Sequence, residues 1–310
     1  MCKIIVCGVD GNFGGYVIDE INTLVDKKDL ILTAPLEKGL IEYKNQGYET
    51  RVANFNHYEG LEKAFAGGEV LLLISAPFVG KKRQTAHKNA VDGAMAAGVN
   101  KIVYTSLVNT SDPGNPSIEK VDHAFTEEYI VSKGIDYIFL RNSQFAEAMI
   151  TSYLTSGGRM LSCQGEGKMS YISRKDCAIA AAHALIKRDI HKTVFNINGP
   201  ESLTLKELVA RGNKETGLNV CVEDVSEEEV YKAFDAIGVP RTTDGLFQED
   251  SPAPYSSDGM VTFARAIRMG KLDSFTNDFE ILTAKKARTV SKMFAHKDDY
   301  LVGKRNSFDN

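Results

Sequence analysis

Two groups of residues in this chain could do chemistry. The first is Gly8-x-x-Gly11-x-x-Gly14, which follows a short apolar run. A turn of this kind lets the backbone approach a pyrophosphate, and a helix that starts there offers its N–H groups to the anion. Gly8 permits the tight turn, Gly11 the close approach of phosphate, and Gly14 close packing of helix on strand. An ordinary strand–helix turn has the same pattern, so the surroundings must decide. The second group is His123, Thr126, Glu127, Tyr129 and Lys133. His123 is expected to titrate in a useful range, about one helical turn before Thr126 and Glu127, where it could bond a ribose hydroxyl or a substrate oxygen. Its structural alternative is to tie down the loop before the helix. Tyr129-x-x-x-Lys133 has the spacing of an acid pair for carbonyl reduction. Lys133 stands directly before Gly134, however, at the end of its helix. The plainer expectation is a partly buried Tyr129 and a solvated Lys133 that complements the helix dipole.

Other chemistries find no pattern. His57, His87, His183, His191 and His296 have no spacing that suggests a metal site or a triad, and no GxSxG elbow occurs. The cysteines number 5 and form no CxxC pair, so reduced thiols in a cytoplasmic protein are expected and no metal. A net charge of -4 without a basic block does not suggest a nucleic-acid partner. No apolar run reaches membrane-spanning length, and no signal-peptide layout opens the chain. At 43% hydrophobic and 25% charged residues, the composition is globular.

The elements around these residues alternate. Apolar runs predict strands at 3–7, 29–33, 49–53, 70–74, 101–104 and 136–140, with helices after Gly14, at 58–65, at 84–97 and at 121–132. Continuous apolar strands separated by helices predict a parallel sheet covered on both faces. Beyond Phe145 the pattern loosens. A helix is expected at 176–186 and a strand at 194–197. Thr204-x-x-Glu207 and Ser226-x-x-Glu229 read as capping boxes that open helices. Residues 239–257 read as a long surface loop, apolar periodicity returns at 260–269 and 290–294, and 299–310 reads as a tail.

The glycine turn, Ser75-Ala76-Pro77, the run AAGVNKIVYTSL at 96–107, His123-x-x-Thr126-Glu127 and Leu140-Arg141-Asn142 occur in an order that resembles the NmrA-like, atypical branch of the short-chain dehydrogenase/reductases. Within it the chain is most similar to NAD(P)H:quinone oxidoreductases and triphenylmethane reductases. The resemblance covers about residues 3–200 and, more loosely, the NDFEILTAKKARTV segment. It implies an α/β, Rossmann-type doubly wound parallel sheet over 1–145, rejoined by a strand near 193–198. A smaller, interleaved α/β substrate-binding part would span 146–298. The cofactor would be NADP or NAD, with NADPH slightly favoured, and a homodimer is compatible. The resemblance places Gly8, Gly11, Asn12, Phe13 and Gly14 at the pyrophosphate, and Asn54 and Phe55 beside the adenine. Ser75, Ala76 and Pro77 would run along the ribose, Thr105 and Ser106 would lie beneath the nicotinamide, and Asn142, Ser143, Gln144 and Phe145 beside it. In quinone and dye reductases His occupies the position of His123, where much of the branch has Lys.

Three departures bear on the cofactor. Asp10 stands where relatives carry a small or hydroxyl residue. Ala34 stands where NADPH-using relatives carry Arg, leaving Lys38 to reach a phosphate, and Glu37 lies three residues beyond that position. The adenine-side acid of many relatives is Asn54 here. The resemblance implies a reductase that passes hydride to a quinone-like or other conjugated aromatic acceptor. Its alternative is a non-catalytic NAD(P)(H)-sensing regulator that acts through a protein partner. A conjugated acceptor spreads its developing charge and needs little acid help, which suits the lack of a Tyr–Lys pair in register. Candidate pocket residues are Phe78, Phe145, Met149, Tyr153, Phe247 and Tyr255.

Overall fold

The computed structural model describes residues 3–187, 192–242 and 255–302. β1 (Ile4–Cys7) is buried along its whole length, as a strand covered on both faces requires. It passes through the glycine turn to α1 (Asn12–Ile21), which buries Gly14, Val17, Ile18 and Ile21. β2 (Leu30–Ala34) is equally buried. After α2 (Ile41–Asn45) comes β3 (Glu49–Val52), an edge strand whose Arg51 donates to the carbonyl oxygens of Lys63 and Ala64. The alternation continues through α3 (Leu61–Phe65), β4 (Val70–Leu73), α4 (Lys81–Ala96), β5 (Lys101–Leu107), α5 (Glu119–Ser132) and β6 (Asp136–Asn142). The small residues Ala90 and Ala94 of α4 let the helix lie close to Leu71, Leu73, Ile102 and Tyr104 in one apolar cluster.

Less regular chain follows. It comprises α6 (Ala146–Thr155), β7 (Arg159–Ser162), β8 (Lys168–Met169), α7 (Arg174–Ile186), β9 (Val194–Ile197), β10 (Leu203–Thr204), α8 (Leu205–Thr216), β11 (Cys221–Asp224), α9 (Glu227–Ala236), α10 (Ser257–Arg268), α11 (Asp278–Thr283) and α12 (Val290–Ala295). Both capping boxes form. Thr204 Oγ1 accepts from Glu207 N–H at 3.1 Å while the Glu207 carboxylate accepts from Thr204 N–H at 2.8 Å. Ser226 and Glu229 repeat the exchange at 3.3 and 2.8 Å.

The main sheet has the order β3-β2-β1-β4-β5-β6-β9. β1 pairs in parallel with β2 on one side and β4 on the other, so Ile4 lies opposite both Leu30 and Val70. Strand order therefore reverses beside β1, which makes that crevice the topological switch point of a doubly wound sheet. The expected Rossmann-type architecture is present. β5 runs to Leu107 rather than stopping at Tyr104, which keeps Thr105 and Ser106 inside the strand.

The chain divides into two compact units. The first comprises Met1–Leu107, Asp122–Arg141 and Cys177–Phe195, and the second Val108–Val121, Asn142–Asp176 and Asn196–Asn310. Within the second, Tyr153 packs edge-on to Phe294 with ring centres 4.9 Å apart and donates its hydroxyl proton to Asn213 Oδ1 at 2.8 Å. Tyr153 is 1% exposed, so it belongs to the core and not to a pocket. The packed chain reaches Tyr300, inside the segment expected to be a tail. Phe247, His191, 303–310 and most of the expected 239–257 loop lie outside the described residues.

Candidate active site

The glycine turn leaves the carboxyl end of β1, at the switch point. Gly8 has φ +67°, a left-handed conformation that ordinary residues avoid. Gly14 is required by packing, because a Cβ there would lie 2.2 Å from the Gly8 carbonyl oxygen and 2.7 Å from the Val9 Cα. The turn is tied on both sides. Val9 N–H donates to Thr33 O at 3.2 Å, and the Tyr43 hydroxyl donates to Val9 O at 3.0 Å. Gly11 is the N-cap of α1 and supplies no side-chain cap, the first helical turn carries no acid, and Gly11 and Asn12 are exposed. The nearest atom to a Cβ on Gly11 would be the Gly8 carbonyl oxygen at 3.5 Å, so the space above it is open. An uncapped helix N-terminus over an open glycine fits a pyrophosphate. Partly buried Phe13 follows in the same turn.

The Ser75-Ala76-Pro77 turn at the end of β4 is held from two elements. Ser75 N–H donates to Thr105 Oγ1 at 2.8 Å. Ala76 N–H donates to His87 Nε2 at 2.9 Å, and Arg83 Nε donates to Ala76 O at 3.0 Å. A backbone N–H can only donate, so His87 Nε2 carries no proton and its Nδ1–H donates to Thr126 Oγ1 at 2.8 Å. Thr126 in turn donates to Asp122 O at 2.8 Å. Burial pushes the His87 pKa down to about 3, so the ring stays neutral. Its spacing assigns His87 no role. Its partners are a backbone N–H and a side chain from a distant helix, and neither leaves a sequence signature.

The His123-x-x-Thr126-Glu127 motif clamps three elements. Thr126 holds His87 on α4. Glu127, which is 6% exposed, receives Ser106 Oγ–H at 2.5 Å and a two-point contact from Arg141 at 2.9 and 2.5 Å. This ties β5 and β6 to α5 through a charge-assisted pair. His123 Nδ1 lies 2.8 Å from the Tyr104 hydroxyl of β5. Burial, with the Arg83 charge second, holds the His123 pKa well below the usual imidazole range. The expectation that His123 titrates near neutrality is therefore corrected, because its ring is neutral at physiological pH. Burial also raises the Tyr104 pKa, so that phenol keeps its proton.

Tyr129 and Lys133 are occupied elsewhere. The Tyr129 hydroxyl donates to Asp92 Oδ1 on α4 at 2.7 Å, and Lys133 Nζ lies 2.8 Å from the same oxygen. Both side chains brace the C-terminal end of α5 against α4.

The remaining expected positions are distributed as follows. Ala34 ends β2 and is 1% exposed, and Lys38 is exposed in the turn after it. Asn54 Oδ1 accepts from Asn56 N–H at 3.0 Å, and Phe55 packs edge-on to Phe65. In the second unit, Asn142 O accepts from Val108 N–H at 3.1 Å and Ser143 N–H donates to Ile197 O at 2.9 Å. Phe145 lies opposite Ile172, whose N–H donates to Gln144 O at 3.1 Å and whose carbonyl oxygen accepts from Ala146 N–H at 2.8 Å. Asn142 Oδ1, Ser143 Oγ and Gln144 Oε1 are buried with no hydrogen-bond partner among the described residues. Leaving such atoms unsatisfied is costly, and a ligand amide would satisfy them. Phe78 lies beneath Lys82, Met149 is buried beside Gln144, and Tyr255 packs on Phe234. A groove of about 920 Å³ opens at the opposite, amino ends of the strands, lined by Ile4, Asp29, Lys101 and Asp136 among others. Nucleotides bind outside the carboxyl ends of such sheets, so this groove is not their site.

A seven-stranded parallel sheet with an uncapped glycine turn at its switch point defines a Rossmann-type dinucleotide-binding protein. Residues 10–188 match the model of the NAD(P)H-binding family, and the chain belongs to that family. It is 31% identical over 272 residues to quinone oxidoreductase 2 of Escherichia coli strain K12, covering 85% of this chain and 92% of the relative. A crystal structure of an NADPH-dependent quinone oxidoreductase from Escherichia coli, complexed with NADPH, superposes with a TM-score of 0.86 at 27% identity, over 96% of this chain and 100% of that one. The Citrobacter sp. triphenylmethane reductase complexed with NADP(H) superposes with a TM-score of 0.81 at 26% identity, over 95% and 99% of the two chains. The expected NmrA-like kinship holds, and none of these relatives is named as a regulator. No described helix is long and apolar enough to cross a membrane.

Proposed function

We propose that this chain is an NAD(P)H-dependent reductase that delivers hydride to a quinone-like or other conjugated aromatic acceptor. The observation that carries this reading is the uncapped start of α1 over open Gly11, at the switch point of the sheet. Gly8 to Gly14 hold the pyrophosphate, and the clamped Ser75-Ala76-Pro77 turn bounds the ribose. A reduced nicotinamide, when bound, supplies the hydride. In the tautomer in which the Tyr104 hydroxyl donates to Nδ1, the neutral His123 ring carries its proton on Nε2 and offers it as a hydrogen bond to an acceptor oxygen.

The acceptor class is supported from two sides. The relatives named above reduce quinones and triphenylmethane dyes by their names. The Tyr129 hydroxyl is committed to Asp92, so no Tyr–Lys acid pair serves an alkoxide. Residues 146–298 take the acceptor-binding role in this reading. Cys7, Cys163, Cys177 and Cys221 form no disulfide among the described residues, which suits a reducing, cytoplasmic setting.

The test is oxidation of NADH and NADPH by the purified protein with a panel of small quinones and a cationic triphenylmethane dye. Turnover well above the uncatalysed rate with at least one acceptor is expected. Tight nucleotide binding with no turnover on any of them would leave a binding protein instead.

A further inference from the structure

Asp10 puts a carboxylate inside the glycine turn, and the nucleotide reading gives it no task. The structure shows where its side chain goes. It lies across Gly39, in the turn that follows β2. A Cβ built on Gly39 would sit 2.6 Å from Asp10 Cβ and 3.2 Å from its Oδ2. Glycine at position 39 therefore makes room for the carboxylate. Burial raises the Asp10 pKa above its ordinary value, as for a side chain drawn partly out of water.

The turn after β2 has a defined task in dinucleotide-binding sheets. An acid there accepts a hydrogen bond from the ribose 2′-hydroxyl of NAD, or an arginine accommodates the 2′-phosphate of NADP. Here β2 ends on buried Ala34, which has no polar group, and the next acid, Glu37, is exposed. Asp10 brings a carboxylate to this turn from the glycine turn that follows the neighbouring strand β1. We propose that Asp10 is the ribose-reading acid of this protein and makes it select the 2′-hydroxyl of NADH over the 2′-phosphate of NADPH. The inference rests on the nucleotide reading and deepens it.

The chemistry is direct. An ionised carboxylate only accepts hydrogen bonds, which matches a ribose diol. A 2′-phosphate at the same place sets like charges side by side in a partly desolvated turn. Lys38 lies in that turn too, but it is exposed, so solvent and salt screen its pull on a phosphate. The resemblance leans slightly to NADPH, and Asp10 argues for the reverse order.

The test measures binding and needs no turnover. Wild type, Asp10→Asn and Asp10→Ser are titrated with NADH and NADPH by nucleotide fluorescence, and with ADP and 2′,5′-ADP by calorimetry. Wild type is expected to bind NADH and ADP at least about tenfold more tightly than their 2′-phosphorylated counterparts. Asp10→Ser is expected to abolish or reverse that ratio, chiefly by tightening the phosphorylated ligands, and Asp10→Asn to fall between. A wild-type protein that binds each pair equally, or prefers the 2′-phosphate, overturns the inference and leaves the nucleotide reading standing. So does a preference that survives Asp10→Ser in a folded variant. A wild-type protein that binds none of the four overturns both.

Discussion

Tyr104 Oη and His123 Nδ1 lie 2.8 Å apart, so a buried strand residue sets the orientation of the imidazole at the start of α5. Tyr129, nearly two helical turns further on, gives its hydroxyl to Asp92. The two candidate acids of the helix are thus separated by what they touch. His123→Ala is expected to lower turnover with a benzoquinone by roughly tenfold to a hundredfold, the cost of a lost hydrogen-bond donor. Tyr129→Phe is expected to leave turnover nearly unchanged and to lower stability by about 1 kcal/mol, the worth of one hydrogen bond. Steady-state kinetics with a melting-temperature control measures both. An inactive Tyr129→Phe beside a fully active His123→Ala would reverse the assignment.

Gly11 and Gly14 are expected to respond differently to substitution. A Cβ on Gly11 meets nothing nearer than 3.5 Å, so Gly11→Val is expected to fold and to lose dinucleotide binding. A Cβ on Gly14 would lie 2.2 Å from a backbone oxygen, so Gly14→Ala is expected to destabilise the fold itself. Calorimetric titration of the folded Gly11→Val variant decides the first point, and unchanged affinity there would remove phosphate from that turn.

Much of this arrangement is visible in the residues, and what is hidden has a physical reason. β1, β2 and β4 announce themselves because strands buried on both faces must be apolar throughout. Thr204–Glu207 and Ser226–Glu229 are legible because a capping box is complete within four residues. α6 is not, because it starts at Phe145 without a side-chain cap. The small antiparallel pair β8 and β10 joins residues far apart in sequence. In the site, the glycine turn is local and legible. The bonds of His87 to Ala76 N–H and Thr126, the Glu127–Arg141 pair and the placement of Asp10 over Gly39 join distant segments, and spacing along the chain cannot reveal them.

The neutral histidines make stability depend on acid. The His87 pKa is held at about 3, and that of His123 also lies below the usual range, both chiefly through burial. Folded values below the unfolded one mean that the unfolded chain takes up protons first as pH falls. The His87 contribution, roughly 3–5 kcal/mol, is whole above about pH 6.5 and is lost as pH falls toward 3, and His123 acts in the same direction. His87→Gln keeps an acceptor for Ala76 N–H and cannot titrate. Urea unfolding between pH 7 and 4 is expected to show a shallower loss of stability for this variant than for wild type. Parallel curves would mean that His87 does not titrate with folding.

Hydride delivery to a conjugated acceptor, without an acid pair for an alkoxide, is tested most directly by one comparison. The protein loaded with reduced nucleotide is mixed, without oxygen, with 1,4-benzoquinone or with cyclohexanone, and nicotinamide oxidation is followed in a single turnover. Rapid oxidation with the quinone, well above the protein-free rate, and none with the ketone is the predicted result. Bound nucleotide that the quinone oxidises no faster than in the blank, or a ketone reduced as readily as the quinone, would contradict the account.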